Sequence, residues 1–322
     1  MSSAHALPRR PFRAVPVDAV APAPLHRRAH DAFPRMTLDA FVALFALEPA
    51  GEDRFVGHSP DNGWQRVFGG QVLAQALVAA ERTVTGLPPH SLHAYFLLAG
   101  DPREPIVFEV ERLRDGRSFT TRRIVAKQKG AAIFAMVASF HESEPGLDHA
   151  LPMPAVPSPE ASFDPYAEAL KRDDPALAGL VKFLDTIRPV ENRPARTTRP
   201  NPAEKSSPNQ ALWVRVAGRL PDDPALHRAV ILYMSDFSML ATALAPHGRR
   251  IQDPDLQVAS LDHALWFHRP ARADDWLLYA QDSPNASGGT GFVRGLLYTR
   301  DGKLVASVAQ EGLLRPRQGR KP

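Results

Sequence analysis

The stretch from Arg122 to Ile133 is echoed by the stretch from Arg294 to Val305. Arg122 aligns with Arg294 and Gly130 with Gly302, and both pairs lie 172 residues apart. Upstream, Ser91-Leu92-His93-Ala94-Tyr95-Phe96 is echoed by Ser260-Leu261-Asp262-His263-Ala264-Leu265-Trp266-Phe267. One order of segments therefore occurs twice. A unit of this length is several times a solenoid repeat. The pattern implies a duplicated domain with a pseudo-twofold interface between the copies. Polar residues that differ between the copies are where function is to be sought.

The 322 residues suffice for two such copies, and 44% hydrophobic residues supply a core. No run approaches the roughly eighteen apolar residues that cross a bilayer, so no membrane span is expected. The absence of cysteine excludes disulfides, thiolate metal sites and a cysteine nucleophile. The net charge of +4 is gathered in Arg-rich ends and forms no basic stripe interleaved with aromatics. A solvated basic surface accounts for it, and no nucleic-acid partner is expected.

Residues 1–35 are rich in Pro, Ala and Arg without periodicity, and we expect a disordered tail. They lack the continuous apolar stretch of a secretory signal, and Met36 precedes the first patterned segment. A cytoplasmic location is expected. Residues 36–145 form a first repeat, with a helix from Val72 to Val84 showing Leu73, Ala76, Leu77 and Ala80 on one face, followed by four strands. Asp115-Gly116 and Lys129-Gly130 mark hairpin turns. Residues 146–209 are Pro-rich and connect the repeats, with one helix over residues 166–184. Residues 210–316 repeat the pattern, with a helix over residues 233–245, Asp236 near its start, and strands at 258–268, 276–281, 291–299 and 304–312. Each half is an α+β unit in which a curved antiparallel sheet covers a helix.

Five segments together resemble the acyl-CoA thioesterase II family. They are Phe68-Gly69-Gly70-Gln71, Asp115-Gly116-Arg117-Ser118-Phe119 with Arg122-Arg123, Tyr233-Met234-Ser235-Asp236, Leu261-Asp262-His263-Ala264-Leu265-Trp266-Phe267-His268-Arg269-Pro270, and Gln310-Glu311-Gly312. The resemblance runs from about Thr37 to Arg315. It implies a double hotdog fold, two tandem repeats each with a curved antiparallel sheet wrapped around a long helix. It also implies hydrolysis of acyl-CoA to free acid and CoA, with no cofactor, no metal and no covalent intermediate. The catalytic positions carried over are Asp236, Ser260 and Gln310, which hold the attacking water. Family members often carry Thr at the Ser260 position, and often Arg where Thr290 stands here. They often associate further, so a homo-oligomer, dimer or tetramer, is expected.

Read as chemistry, Asp236 is either an N-cap that satisfies orphan amides or a base that orients a water. The first repeat carries Gly69, Gly70 and Gln71 at the matching helix start and no acid. Gln310 stands where the first repeat has Ala138. Ser260 lies in no Gly-x-Ser-x-Gly elbow, which argues for a hydrogen-bond partner over a nucleophile. A backbone amide of Gly69, Gly70 or Gln71 is the candidate donor to the developing oxyanion. His90 is a further pocket candidate, with a structural hydrogen bond as its alternative. His263 and His268 face opposite ways and meet no third ligand at a metal spacing. Ser287-Gly288-Gly289-Thr290-Gly291 is either a loop over CoA phosphates or a plain turn. Two rival functions remain: an enoyl-CoA hydratase, which would need a His where Ala241 follows Asp236, and a non-catalytic acyl-CoA binding module.

Overall fold

Period-two strands dominate the chain, and they join into one antiparallel sheet. The structure, a computed structural model, describes residues 36–60, 63–172, 187–198, 201 and 204–317. The expected N-terminal tail and residues 173–184 of the helix expected in the linker lie outside the described residues. In chain order the elements are α1 (Leu38–Ala43), β1 (Glu48–Pro49), β2 (Arg54–Gly57), α2 (Gly69–Glu81), β3 (Pro89–Phe96), β4 (Ile106–Asp115), β5 (Phe119–Gln128), β6 (Ala131–His141), α3 (Pro165–Arg172), β7 (Val190–Pro194), β8 (Asn209–Val216), α4 (Pro224–Ser235), α5 (Met239–Leu244), a 3-10 turn (Ala245–His247), β9 (Leu256–Ser260), β10 (Asp262–Phe267), β11 (Leu277–Ser287), β12 (Thr290–Thr299) and β13 (Leu304–Pro316).

The sheet order is β1-β2-β4-β5-β6-β3-β10-β13-β12-β11-β8-β7, with β9 on β13. Read outward from the centre, both halves give the same sequence of strands. They join where β3 pairs antiparallel with β10, Leu92 facing Leu265. This seam is the pseudo-twofold interface, and it removes two sheet edges that would otherwise be open. Helix α2 packs on β4, β5 and β6, and α5 on β11, β12 and β13. Each repeat is thus a sheet over a helix, the double hotdog arrangement.

The spatial match between the repeats differs by one residue from the sequence alignment. Arg122 is buried and Arg294 is exposed, so residues 172 apart face opposite sides here. Arg123 is the partner of Arg294 in space. Arg123 pairs with Glu111 across the hairpin at 2.8 Å, and Arg294 with Asp282 at 2.5 Å. The turn explains the slip. Lys127 and Ala132 pair around residues 128–131, whereas Tyr298 and Leu304 pair around residues 299–303, one residue more. Equivalent residues are therefore 171 apart before the turn and 172 apart after it, and Gln310 still matches Ala138.

Helix α2 is buried on nearly all sides, not along one stripe, because sheet covers one flank and α4 the other. Its Gln71 and Gln75 are buried and bind the His58 carbonyl, and Gln75 also binds the Leu44 carbonyl. Helices α2 and α4 run antiparallel. The start of α2 meets the end of α4, and Glu81 at its end meets Arg228 near the start of α4 at 2.8 Å.

Residues 224–247 match a membrane span in length and composition alone; their apolar stretch is two-thirds buried inside the fold, as the core helices of a sheet-covered domain are. Asp223 caps α4 by accepting the Ala225 N–H, and Pro224 fits the first turn. This Asp-Pro start puts the helix nine residues earlier than the apolar periodicity placed it.

Candidate active site

Asp236 does not start a helix. It ends α4, and the chain breaks through Phe237 and Ser238 (φ 66°) before α5. Two side chains from β11 hold the break open. The Tyr279 hydroxyl donates to the Ser235 carbonyl at 2.7 Å, and Gln281 Nε2 donates to the Phe237 carbonyl at 3.3 Å. Such carbonyls are left without helical partners at a C-terminus and need donors from elsewhere. Gln281 is fixed in turn by the Thr242 hydroxyl at 2.6 Å.

The capping alternative for Asp236 is realised, but on the other repeat. Its Oδ2 accepts the Gly70 N–H at 2.9 Å, in the first turn of α2. The residue that precedes this helix, Phe68, caps nothing with its side chain. The carboxylate therefore sits at the positive end of the α2 dipole. The two glycines make the approach possible. A Cβ on Gly70 would lie 2.4 Å from the Tyr233 carbonyl oxygen, and one on Gly69 would lie 2.7 Å from Asp236 Oδ2.

Asp236, Ser260 and Gln310 come together at this point. Gln310 Nε2 donates to Ser260 Oγ at 2.8 Å, and the same amide stands near enough to Asp236 to favour its carboxylate form. Burial pushes the Asp236 carboxyl up to about 7, and the donors from Gln310 and Gly70 only partly oppose it. A carboxyl with such a pKa exchanges a proton near neutrality. Ser260 reaches Gln310 because the strand expected over 258–268 breaks at Leu261. The break turns Ser260 inward, while Asp262 and Trp266 face outward, where Asp262 binds His93 at 3.1 Å.

Other candidates are elsewhere or otherwise engaged. His90 lies at the far end of β3 from Phe96, which is the residue that abuts Gly69, roughly 20 Å away at the rise of a strand. It binds Ser139 Oγ at 2.8 Å beside Phe119 and His141, the structural alternative. The Gln71 side chain points to His58 and Ser59, and its N–H goes to the Phe68 carbonyl. The Gly70 N–H is taken by Asp236, so neither amide is a free oxyanion donor. Gly288 and Gly289 both have positive φ between the paired Ser287 and Thr290, a two-residue hairpin turn.

Sequence reasoning did not single out His263, Tyr279 or Gln281 as parts of the site. The spacing of 171, which the structure reveals, sets His263 where the first repeat has Leu92.

The comparisons with known proteins agree with each other. A family model described as acyl-CoA thioesterase matches residues 180–313, and one described as acyl-CoA thioesterase N-terminal domain matches residues 59–141. The chain is similar to acyl-coenzyme A thioesterase 8 of Mus musculus, with 40% identity over 287 residues, 85% of this chain and 88% of that protein. Among solved structures it resembles an acyl-CoA thioesterase II from Mycobacterium marinum, with TM-score 0.71 and 40% identity, over 88% of this chain and 100% of that one. A hot dog fold protein from Alicyclobacillus acidocaldarius superposes with TM-score 0.69 at 20% identity, over 87% of this chain and 99% of that one, a likeness of fold alone.

Proposed function

The chain belongs to the acyl-CoA thioesterase II family and hydrolyses acyl-CoA thioesters to free acid and CoA, and we propose that it does so with a water held by Asp236, Ser260 and Gln310. The convergence of these three side chains at the start of α2 carries the reading. Gln310 spends one amide hydrogen on Ser260 Oγ, so the Ser260 hydroxyl proton is left to point toward the water oxygen. Asp236 accepts a proton from the same water. The water oxygen then bonds to the acyl carbon, the carbon–sulfur bond breaks, and the proton held by Asp236 passes to the departing CoA thiolate. The positive end of α2, at Gly69, faces the carbonyl oxygen as charge develops there.

The aromatic cluster of Phe68, Tyr233 and Phe237 beside Asp236 supports an acyl chain entering there, since the rings offer an apolar wall next to the carboxylate. Association into dimers or tetramers is part of the reading. It rests on Tyr95, Val137 and Trp266, large side chains exposed on the outer face of the central strands at the seam. Light scattering tests it. A cytoplasmic location is also part of the reading, and recovery in another fraction of the source cell overturns it.

The test of function is hydrolysis of a panel of acyl-CoAs from short to long chain, followed with a thiol-trapping dye. Wild type releases CoA, and both Asp236→Asn and Gln310→Ala lose kcat by about 100-fold or more. Wild-type rates in Asp236→Asn would remove this assignment of the base.

A further inference from the structure

We propose that His263 is a positioning residue that locks the Gln310 amide in the one orientation presenting its NH2 group to Asp236 and Ser260. The proposal rests on the site reading given above. His263 is completely buried on the inner face of β10, one residue beyond the Ala264–Ala309 pair, and so faces Gln310. Its Nδ1 lies 2.6 Å from Gln310 Oε1, and its Nε2 lies 2.9 Å from Ser235 Oγ.

The proton placement follows from the partners. Gln310 Nε2 donates one hydrogen to Ser260 Oγ and stands on the Asp236 side of the amide, where a carboxylate favours NH2 over a carbonyl oxygen, so Oε1 faces the ring. An amide oxygen only accepts, which puts the proton on His263 Nδ1. The ring is neutral, because burial holds His263 down at about 4. Nε2 therefore accepts, and the one Ser235 hydroxyl proton, which can otherwise go to the Leu232 carbonyl at 2.8 Å, is given to the ring. The ring, held at Nε2 by Ser235, keeps its Nδ1–H on Gln310 Oε1, and the amide so held fixes which groups meet the water. A flipped amide would set a carbonyl oxygen against the carboxylate.

The other repeat supplies the comparison. There the same two inner positions are Leu92 and Ala138, which pair across β3 and β6 and are both buried. Packing alone is thus satisfied by a leucine. The polar residues occur together, His263 with Gln310, in the repeat that carries Asp236. The other titratable groups about this network are Asp262 and His93 on the outer side of the seam, and Tyr233 and Tyr279 beside Asp236.

The test compares His263→Leu, the residue of the first repeat, with His263→Asn, whose amide nitrogen falls near the position of Nδ1. The full chain is used, with kcat, KM, the pH profile of kcat and the melting temperature measured for each. His263→Leu should lower kcat by about 10- to 100-fold, the range found for residues that orient a reacting group's ligands, with KM unchanged. Its acid limb should move to higher pH, because a loosened amide no longer favours the Asp236 carboxylate. His263→Asn should recover most of kcat and return the limb. A wild-type kcat and limb in His263→Leu overturns the proposal, as does an equal loss in both variants with an unmoved limb. If His263→Leu fails to fold, Ser235→Ala is read in its place: it removes the anchor at Nε2, loosens the ring against Gln310 and should move the limb upward, and an unmoved limb overturns the proposal. Activity retained in Asp236→Asn would instead sink the site reading, so the two failures are distinct.

Discussion

Asp236→Asn should make the protein more stable at alkaline pH and no more stable in acid. The folded-state pKa of Asp236 is about 7, against 3.8 for an ordinary aspartate. Below about pH 4 both folded and unfolded chains hold the proton, and the substitution changes nothing. Between the two values the unfolded chain ionises while the folded chain keeps its proton, so wild type loses stability as pH rises. Above about pH 7 both are ionised and the full deficit remains. A shift of about 3 units corresponds to about 4 kcal/mol, or roughly 6 °C in melting temperature for a protein of this size. Asparagine keeps an acceptor for the Gly70 N–H and never ionises. Thermal melts of wild type and variant across this pH range measure the difference. A gain of equal size in acid and base, or no gain at alkaline pH, would refute a desolvated carboxylate at this position.

The same pKa predicts that wild-type kcat rises with pH through an acid limb near 7, and that Asp236→Asn abolishes the limb along with most of the rate. Gly70→Ala should destabilise the protein by about 1–3 kcal/mol and lower kcat, because the added Cβ meets the rigid Tyr233 carbonyl and pushes α2 off Asp236; wild-type melting and activity would contradict the close approach. Arg122→Leu should cost at least about 2 kcal/mol in a denaturant titration, since this buried guanidinium serves the Thr83, Arg114 and Thr121 carbonyls. Asp115→Asn should cost under about 1 kcal/mol, since Asp115, the acidic partner of Arg122, is largely exposed.

The strands were legible because one buried face imposes alternation, and the strand from Ala131 to His141 has the bounds its pattern gave. Asp236, Ser260 and Gln310 were carried over from the family resemblance, and for Asp236 and Gln310 the lack of an equivalent in the first repeat pointed the same way. What escaped was set by tertiary partners. Nothing local in Tyr233-Met234-Ser235-Asp236 stops a helix; Tyr279 and Gln281, more than forty residues on, do so by binding carbonyls. The one-residue slip between the repeats came from a turn length, which strand periodicity does not report. His90 misled because its neighbours in the chain lie along a strand that ends at the site while His90 stands at its other end.

The bond from Asp236 to Gly70 joins residues 166 apart in the chain. Closure of so long a loop waits for both repeats to be formed and docked, while local helices and hairpins gain their bonds early. Activity in refolding should therefore return after the far-ultraviolet signal, and in slow denaturation it should vanish first. If the proposed site is the working one, the Asp236 carboxylate is thereby a proofreader of assembly: a chain that has folded both halves but not married them is inert toward every thioester it meets.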